Sequence, residues 1–309
     1  MLHTHRFRAM NTDVAAWLWS ASPLAGVRLA EVERFFGQVE AALSRFRPQS
    51  ELSRLNAAAG RGPQPVSSLL LEVLALALDA ARSSGGLFDP TLLHALRAAG
   101  YDRSFEQIGL GDAGPLLEAK AQSGSGWSQV LLDAAEGTVA LPAGLGIDLG
   151  GIAKGWAVDA AAGQLGRWGA ALVDAGGDIR SAGAPGQPWP VAVQDPCDET
   201  RDLAVIGLAD NAVATSSSGR RRWQRGGQSM HHLIDPRTGR PSRSDLHTVT
   251  VLAPTAVAAE VAAKVALLLG REAGQAYLAS RGLAAWLIDY HGCPVTIGQQ
   301  QRFKQGETQ

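Results

Sequence analysis

Apolar residues recur at three- and four-residue spacing from Val27 to Phe46, the pattern of a helix with one buried face. Pro48 stops that run, and Ser50 stands where a cap for a short helix over ELSRLN belongs. Ser67 to Arg82 is a strongly apolar helical stretch that ends at Gly85-Gly86. Asp89-Pro90-Thr91 opens a further helix ending at Gly100, with Pro90 suited to a first turn. Ahead of these helices, Val14 to Trp19 predicts a strand. Residues 111–126 are rich in Gly, Ser and Ala and read as a surface excursion.

The second half alternates. Val130–Asp133 and Thr138–Leu141 predict a hairpin, and Gly151 to Trp168 a helix that begins at a glycine pair. Strands are predicted at Ala171–Asp174, Val191–Gln194, Leu203–Leu208, Ala212–Thr215, Thr248–Leu252, Ala284–Tyr290 and Val295–Gly298. Thr255 to Leu269 is a second strong helix closed by Gly270, and another follows near Ala273–Ser280. Helices and strands mix without strict βαβ repetition, so the class is α+β, with a helical N-terminal part and a strand-rich C-terminal part. The expected organisation is one domain over 1–298, with a helical subdomain at about 25–126, and a frayed tail over 299–309.

Composition narrows the function classes. The 28 Lys+Arg against 29 Asp+Glu give a net charge of −1, which removes the electrostatic case for a general nucleic-acid binder. There are 52 Ala in the 309 residues, so other types must supply the bulk of the core. The 36 Gly exceed the usual ~7% and point to tight turns or close backbone approach to a ligand. Cys197 and Cys293 make neither a disulfide framework nor a CxxC metal site. The N-terminal residues lack the apolar core of a secretory signal, and no run is long enough to span a membrane. A cytoplasmic location is the expectation.

Four segments carry unusual polar or glycine density. In Ile147-Asp148-Leu149-Gly150-Gly151-Ile152-Ala153-Lys154-Gly155, two glycines precede a helix whose free N–H groups suit a phosphate, with Lys154 adding charge. A plain strand-to-helix turn with a surface lysine explains the same residues. Asp174-Ala175-Gly176-Gly177-Asp178 reads as a two-glycine hairpin, or as backbone that approaches a flat ligand. His231-His232-Leu233-Ile234-Asp235-Pro236-Arg237-Thr238-Gly239 contains a good turn, with His232 beside it as a general-base candidate or a structural histidine. In Gly85 to Thr91, Asp89 is placed as a helix cap. Arg220-Arg221-Arg222 and Arg225 form a basic loop, solvated or facing a phosphate.

Taken in order, these segments resemble the ApbE-type flavin transferases (FAD:protein FMN transferases). Ala9-Met10-Asn11-Thr12, Ser44-Arg45-Phe46-Arg47-Pro48 with Ser50 to Asn56, and Gly86 to Thr91 match, followed by the segments at 148–155, 174–178 and 232–239 and the helix after Thr255. The resemblance implies FAD bound in a cleft of an α+β fold. It also implies transfer of FMN to a Thr or Ser of an acceptor protein, with AMP released. Met10, Phe46, Leu87, Phe88, Asp89, Gly150, Ile234, Asp235 and Thr238 match ligand positions, Phe46 standing where Tyr is usual. Lys154 falls near the expected pyrophosphate, and His232 matches the base for the acceptor hydroxyl.

The resemblance also implies Mg²⁺, held by the backbone carbonyl at Ala153 and by an Asp and a Thr four apart. This chain has Glu260 and Lys264 at those two places. Glu260 keeps a carboxylate, but a charged lysine has only donors and cannot be a ligand. Either the two form an ordinary i, i+4 contact of about 0.2–0.5 kcal/mol, or the Lys264 ammonium takes the cation position, paired with Glu260 and facing the pyrophosphate. The second reading predicts weak Mg²⁺ binding and slow turnover. Asn11 replaces a usual Gly, and Arg-Arg-Arg-Trp replaces an Asp and an aromatic after Gly219. Three alternatives to the transferase stay open: an FAD-binding relative with little catalysis, a Mg²⁺-dependent FAD pyrophosphatase, and a nucleotide-binding module on Gly150-Gly151.

Overall fold

Eight antiparallel strands form the central sheet of the computed structural model, which describes residues 1–108, 114 and 126–298. In spatial order they are Leu2–Ala9, Thr12–Trp19, Ala170–Ala175, Asp178–Ala182, Ala212–Ser217, Leu246–Ala253, Ala284–Asp289 and Pro294–Ile297. The N-terminal part is helical after its first hairpin, which forms one edge of the sheet. The first strand was missed in the sequence because its alternating positions are half-buried and exposed, with His and Arg among them. Most of the 111–126 excursion and the tail after Gln299 lie outside the described residues.

Eight helices are described: α1 (Ala25–Leu43), α2 (Glu51–Ala57), α3 (Ser68–Ser83), α4 (Leu93–Ala98), α5 (Phe105–Ile108), α6 (Ala153–Gly166), α7 (Ala256–Leu269) and α8 (Arg271–Ser280). The cap expected at Ser50 is in place, and Ser67 and Thr255 cap their helices in the same way. Ser50 Oγ accepts from Ser53 N at 3.0 Å, Ser67 Oγ from Leu70 N at 3.2 Å, and Thr255 Oγ1 from Ala258 N at 3.1 Å. Asp89 does not cap a helix. Its Oδ1 accepts from Thr91 N and Thr91 Oγ1, and α4 begins later with Leu92 at its N-cap. Pro90 thus stands before the helix, not in its first turn.

Helices α1, α6 and α7 cover one face of the sheet. Strand alternation decides which side chains meet them. In Leu246–Ala253, Val249 and Val251 join the apolar cluster under α7, while Thr248 and Thr250 face away into a cleft. Ala259, Ala262, Ala263 and Ala266 keep α7 close to the sheet and its neighbours. The other face is partly covered by a long hairpin, Trp189–Asp195 with Asp198–Leu208, whose Trp189, Val191 and Val193 pack with Leu172, Ile179 and Trp286.

Helix α7 is held by α6. The Asp159 carboxylate accepts from Ala256 N at 2.8 Å and from Val257 N at 3.0 Å, closing the first turn of α7 from outside. The two helices touch at Gly155, where an added Cβ would stand 2.9 Å from the Ala256 carbonyl and 2.9 Å from Glu260 Oε2. Gly155→Ala is expected to destabilise the protein by about 1–3 kcal/mol through forced separation of the helices. Gly163, exposed on the same helix with nothing within 4 Å of a built Cβ, provides the control. Gly163→Ala should be neutral or stabilising by up to about 1 kcal/mol. Urea unfolding of both variants checks this, and equal effects would contradict the contact.

Candidate active site

One cleft of about 1530 Å³ opens between the helical layer, the long hairpin and the basic loop. It exceeds the ~300–1,000 Å³ of most small-molecule pockets, so it has room for a dinucleotide. Both ends of the chain build it. Met10 reaches it from the first hairpin, Phe46 from the segment after α1, Asp89 from the segment before α4, and Gly150, Ala153 and Lys154 from the start of α6. His232 and Ile234 come from the segment after the basic loop, and Glu260 and Lys264 from α7. Leu87, Phe88, Asp235 and Thr238 do not line it. Phe88 lies buried behind Lys264, Leu87 packs on the main core, and Asp235 and Thr238 close their own turn. The Asp235 carboxylate is engaged by Arg237.

Met10 and Asn11 form the two-residue turn of the first hairpin with φ of 51° and 57°. Both central residues are left-handed, as a type I′ turn requires. Asn tolerates that conformation, which is why Asn11 can replace a glycine. Met10 is the costly one, held in a rare region at the cleft wall.

Phe46 belongs to an aromatic group with Tyr101 and Trp223. Its ring meets Tyr101 edge-on at 5.5 Å, and Tyr101 stacks on Trp223 at 5.3 Å. The Arg45 guanidinium lies 4.1 Å from the centre of the Phe46 ring and pairs with Asp148 at 2.5 Å. Arg45, Tyr101 and Asp148 all line the cleft, and the sequence assigns none of them a role. Only the aromatic at Phe46 signalled this wall.

The start of α6 differs from the phosphate cradle expected there. The N–H of Gly150 goes to Asp148 Oδ1 at 3.1 Å, and those of Ile152 and Ala153 go to the Leu149 carbonyl. The Gly155 N–H goes to Glu260 Oε2 at 3.0 Å. A protein carboxylate therefore already occupies the positive end of the helix. Lys154 is equally committed. Its ammonium pairs with Asp178 and with Glu260 Oε1, the latter at 2.9 Å. Burial opposes its charge, but these two carboxylates outweigh that and raise its pKa above the ordinary lysine value. Burial pushes the Asp178 carboxyl up to about 7 despite Lys154, and Glu260 adds to the rise.

His232 is neutral. Burial, reinforced by Arg221, His231, Lys264 and Lys154, holds its pKa well below 6.5. Its Nδ1 is buried without a partner, and its ring stands edge-on to Tyr101 at 6.5 Å. Asp174, at the other cleft edge, accepts from Gly177 N at 2.8 Å and fixes the two-glycine hairpin. Gly176 and Gly177 have φ of 67° and 96°, so this turn needs its glycines for backbone reasons.

The sequence profile of the ApbE family matches residues 10–287 of the chain. The chain belongs to the ApbE family. It is 31% identical over 288 residues to an FAD:protein FMN transferase of Klebsiella pneumoniae, covering 89% of this chain and 82% of that protein. It is 35% identical over 282 residues to that of Treponema pallidum, covering 84% and 77%. The fold is that of the ApbE protein of Thermotoga maritima, with a TM-score of 0.84 at 24% identity over 96% of this chain and 97% of the other. The apo flavinyl transferase ApbE of Pseudomonas stutzeri gives 0.79 at 26% identity, covering 96% and 94%. Membership of the ApbE family and the α+β fold thus agree with the sequence, and family-level likeness supports a flavin transferase activity.

The Mg²⁺ expected from the family does not fit the residues present. Both Glu260 oxygens accept hydrogen bonds from α6, and the pairing expected between Glu260 and Lys264 is replaced by one between Glu260 and Lys154. Among the described residues no group of three or more His, Cys, Asp or Glu is placed to hold a metal. Among them, too, no helix is long and apolar enough to cross a membrane.

Proposed function

We propose that this chain binds FAD in the cleft and transfers its FMN part to a Thr or Ser hydroxyl of an acceptor protein. The hydroxyl oxygen attacks the FMN-side phosphorus. The bond from that phosphorus to the bridging oxygen breaks, and AMP leaves with the electron pair. His232 accepts the hydroxyl proton, which its neutral state permits. Such transfer depends on positioning and on offsetting charge at the phosphates. Met10, Phe46, Asp89, Gly150 and Ile234 provide the ligand walls.

The observation that carries this reading is a neutral, half-buried His232 in the same cleft as the Lys264 ammonium, in a chain similar to FAD:protein FMN transferases. The test follows AMP release from FAD with and without a flavinylatable acceptor domain, together with covalent flavin fluorescence on the acceptor. AMP and labelled acceptor appearing together, and neither without acceptor, is the expected result. AMP at the same rate without acceptor would make the protein a hydrolase. Bound FAD without AMP would make it a binding protein.

A further inference from the structure

The cleft has to meet a pyrophosphate, yet most of its positive charge is already spoken for. Arg45 pairs with Asp148. Lys154 is shared by Asp178 and Glu260. The N-terminus of α6 holds Glu260. Arg220 is an exposed rim residue that reaches Gln194 at 3.2 Å, and Arg221 beside it on the basic loop also has no carboxylate partner among the described residues. Lys264 is different. It rises from the middle of α7 on the same face as Glu260, one turn further on. Its ammonium lies 5.0 Å from the centre of the Phe88 ring, and an added Cβ on Gly151 would stand 2.9 Å from Nζ. Among the described residues no carboxylate is within ion-pair distance of it; Asp148, Glu260 and Asp89 act on it only from further off. A largely buried ammonium has three donors to satisfy, and an anionic oxygen satisfies them best.

We propose that the Lys264 ammonium does the work of a divalent cation in this chain: it binds and neutralises the pyrophosphate, so that ligand binding and FMN transfer proceed without metal. The inference rests on the transferase reading for the transfer step, but its binding half stands apart from it. Three facts combine to support it. The carboxylate at 260 is turned toward α6 and filled. The neighbouring position carries a donor-only side chain. The glycine at 151 leaves Nζ the space to point at the turn before α6. As the attacking oxygen bonds to phosphorus and AMP departs, charge grows on the leaving phosphate. A fixed ammonium beside it stabilises that charge without being recruited from solution.

The test uses the full chain. ADP, a bare pyrophosphate nucleotide, is titrated calorimetrically in EDTA and in Mg²⁺, and AMP release from FAD with acceptor is followed under the same two conditions. The wild type is expected to change less than about twofold between conditions in both measurements. Lys264→Met is expected to bind ADP at least about tenfold more weakly in EDTA, the loss of one charge-assisted contact. The double variant Glu260→Asp, Lys264→Thr should release AMP only when Mg²⁺ is added. A tenfold or larger loss of wild-type binding or turnover in EDTA overturns the proposal, as does Lys264→Met binding ADP like the wild type. The wild-type comparison needs no variant to fold. If no AMP appears in any condition while ADP binding in EDTA still depends on Lys264, the transferase reading fails and the binding half stands.

Discussion

Replacing His232 by asparagine is expected to slow FMN transfer about 10²- to 10⁴-fold, the usual worth of a positioned general base. FAD affinity should stay within about threefold, because the loss concerns a proton taken in the transition state and not ground-state contact. The pH profile carries further information. His232 is held well below 6.5 by burial first, and then by Arg221, His231, Lys264 and Lys154. The free base is therefore present throughout the neutral range, and wild-type rate should be level there, falling only on the acid side of 6.5. That acid limb should vanish in the variant. Stability changes in the same direction. Below 6.5 the unfolded chain binds a proton that folded His232 refuses, so stability is lost as pH falls through that window and the asparagine variant loses less. A variant that keeps a third of the wild-type rate, or an acid limb unchanged, would remove His232 from the chemistry.

The largest stability effect is expected from Lys154→Met. Removing one cation leaves the buried Asp178 and Glu260 carboxylates together with no cation between them, Glu260 keeping only its hydrogen bond from Gly155 N. Breaking a buried pair from one side costs about 3–5 kcal/mol, since the remaining charge loses its counter-ion where little water reaches it. The pH dependence identifies the cause. Folded Asp178 titrates at about 7, against an unfolded value of 3.8. Its stabilising contribution is full below the lower value and is lost as pH rises through the upper one. Without Lys154 this trend steepens, so the deficit should be greatest above pH 7 and shrink on acidification. Urea unfolding of both proteins across that window decides it. A loss under about 1 kcal/mol, the value of an exposed pair, or a deficit that grows on acidification would mean that Lys154 is not a buried link.

Local signals were legible and long-range partners were not. Ser67, Thr255 and Gly270 marked helix ends correctly because capping depends on residues within one turn. The alternation in the strand after Leu246 predicted a sheet position because its two faces differ in chemistry. Leu2–Ala9 has no such contrast and was not found. Asp89 carries a capping residue type, but its acceptor geometry serves Thr91, which spacing alone does not separate from a cap. Lys154 stands in the first turn of α6 as the sequence predicts, but its partners Asp178 and Glu260 lie 24 and 106 residues away, beyond the reach of local spacing. The same blindness hid Arg45, whose partner Asp148 belongs to a distant segment. The charge pairing inside the cleft came only from the fold.

The order of strands in the sheet also has a consequence during synthesis. Thr12–Trp19 pairs with Ala170–Ala175, a partner made only after α1 to α6 have been synthesised. At about 5–20 residues per second the first hairpin waits on the order of ten seconds with one edge open. Val14, Ala16 and Leu18, fully buried at the end, are exposed during that wait. Non-local pairing is slow to close and leaves strand edges free to join other chains. The nascent protein therefore presents an aggregation-competent edge well before α7 delivers Glu260 and Lys264 to the cleft. Yield from fast, crowded expression should depend on whatever shields that edge in the interval.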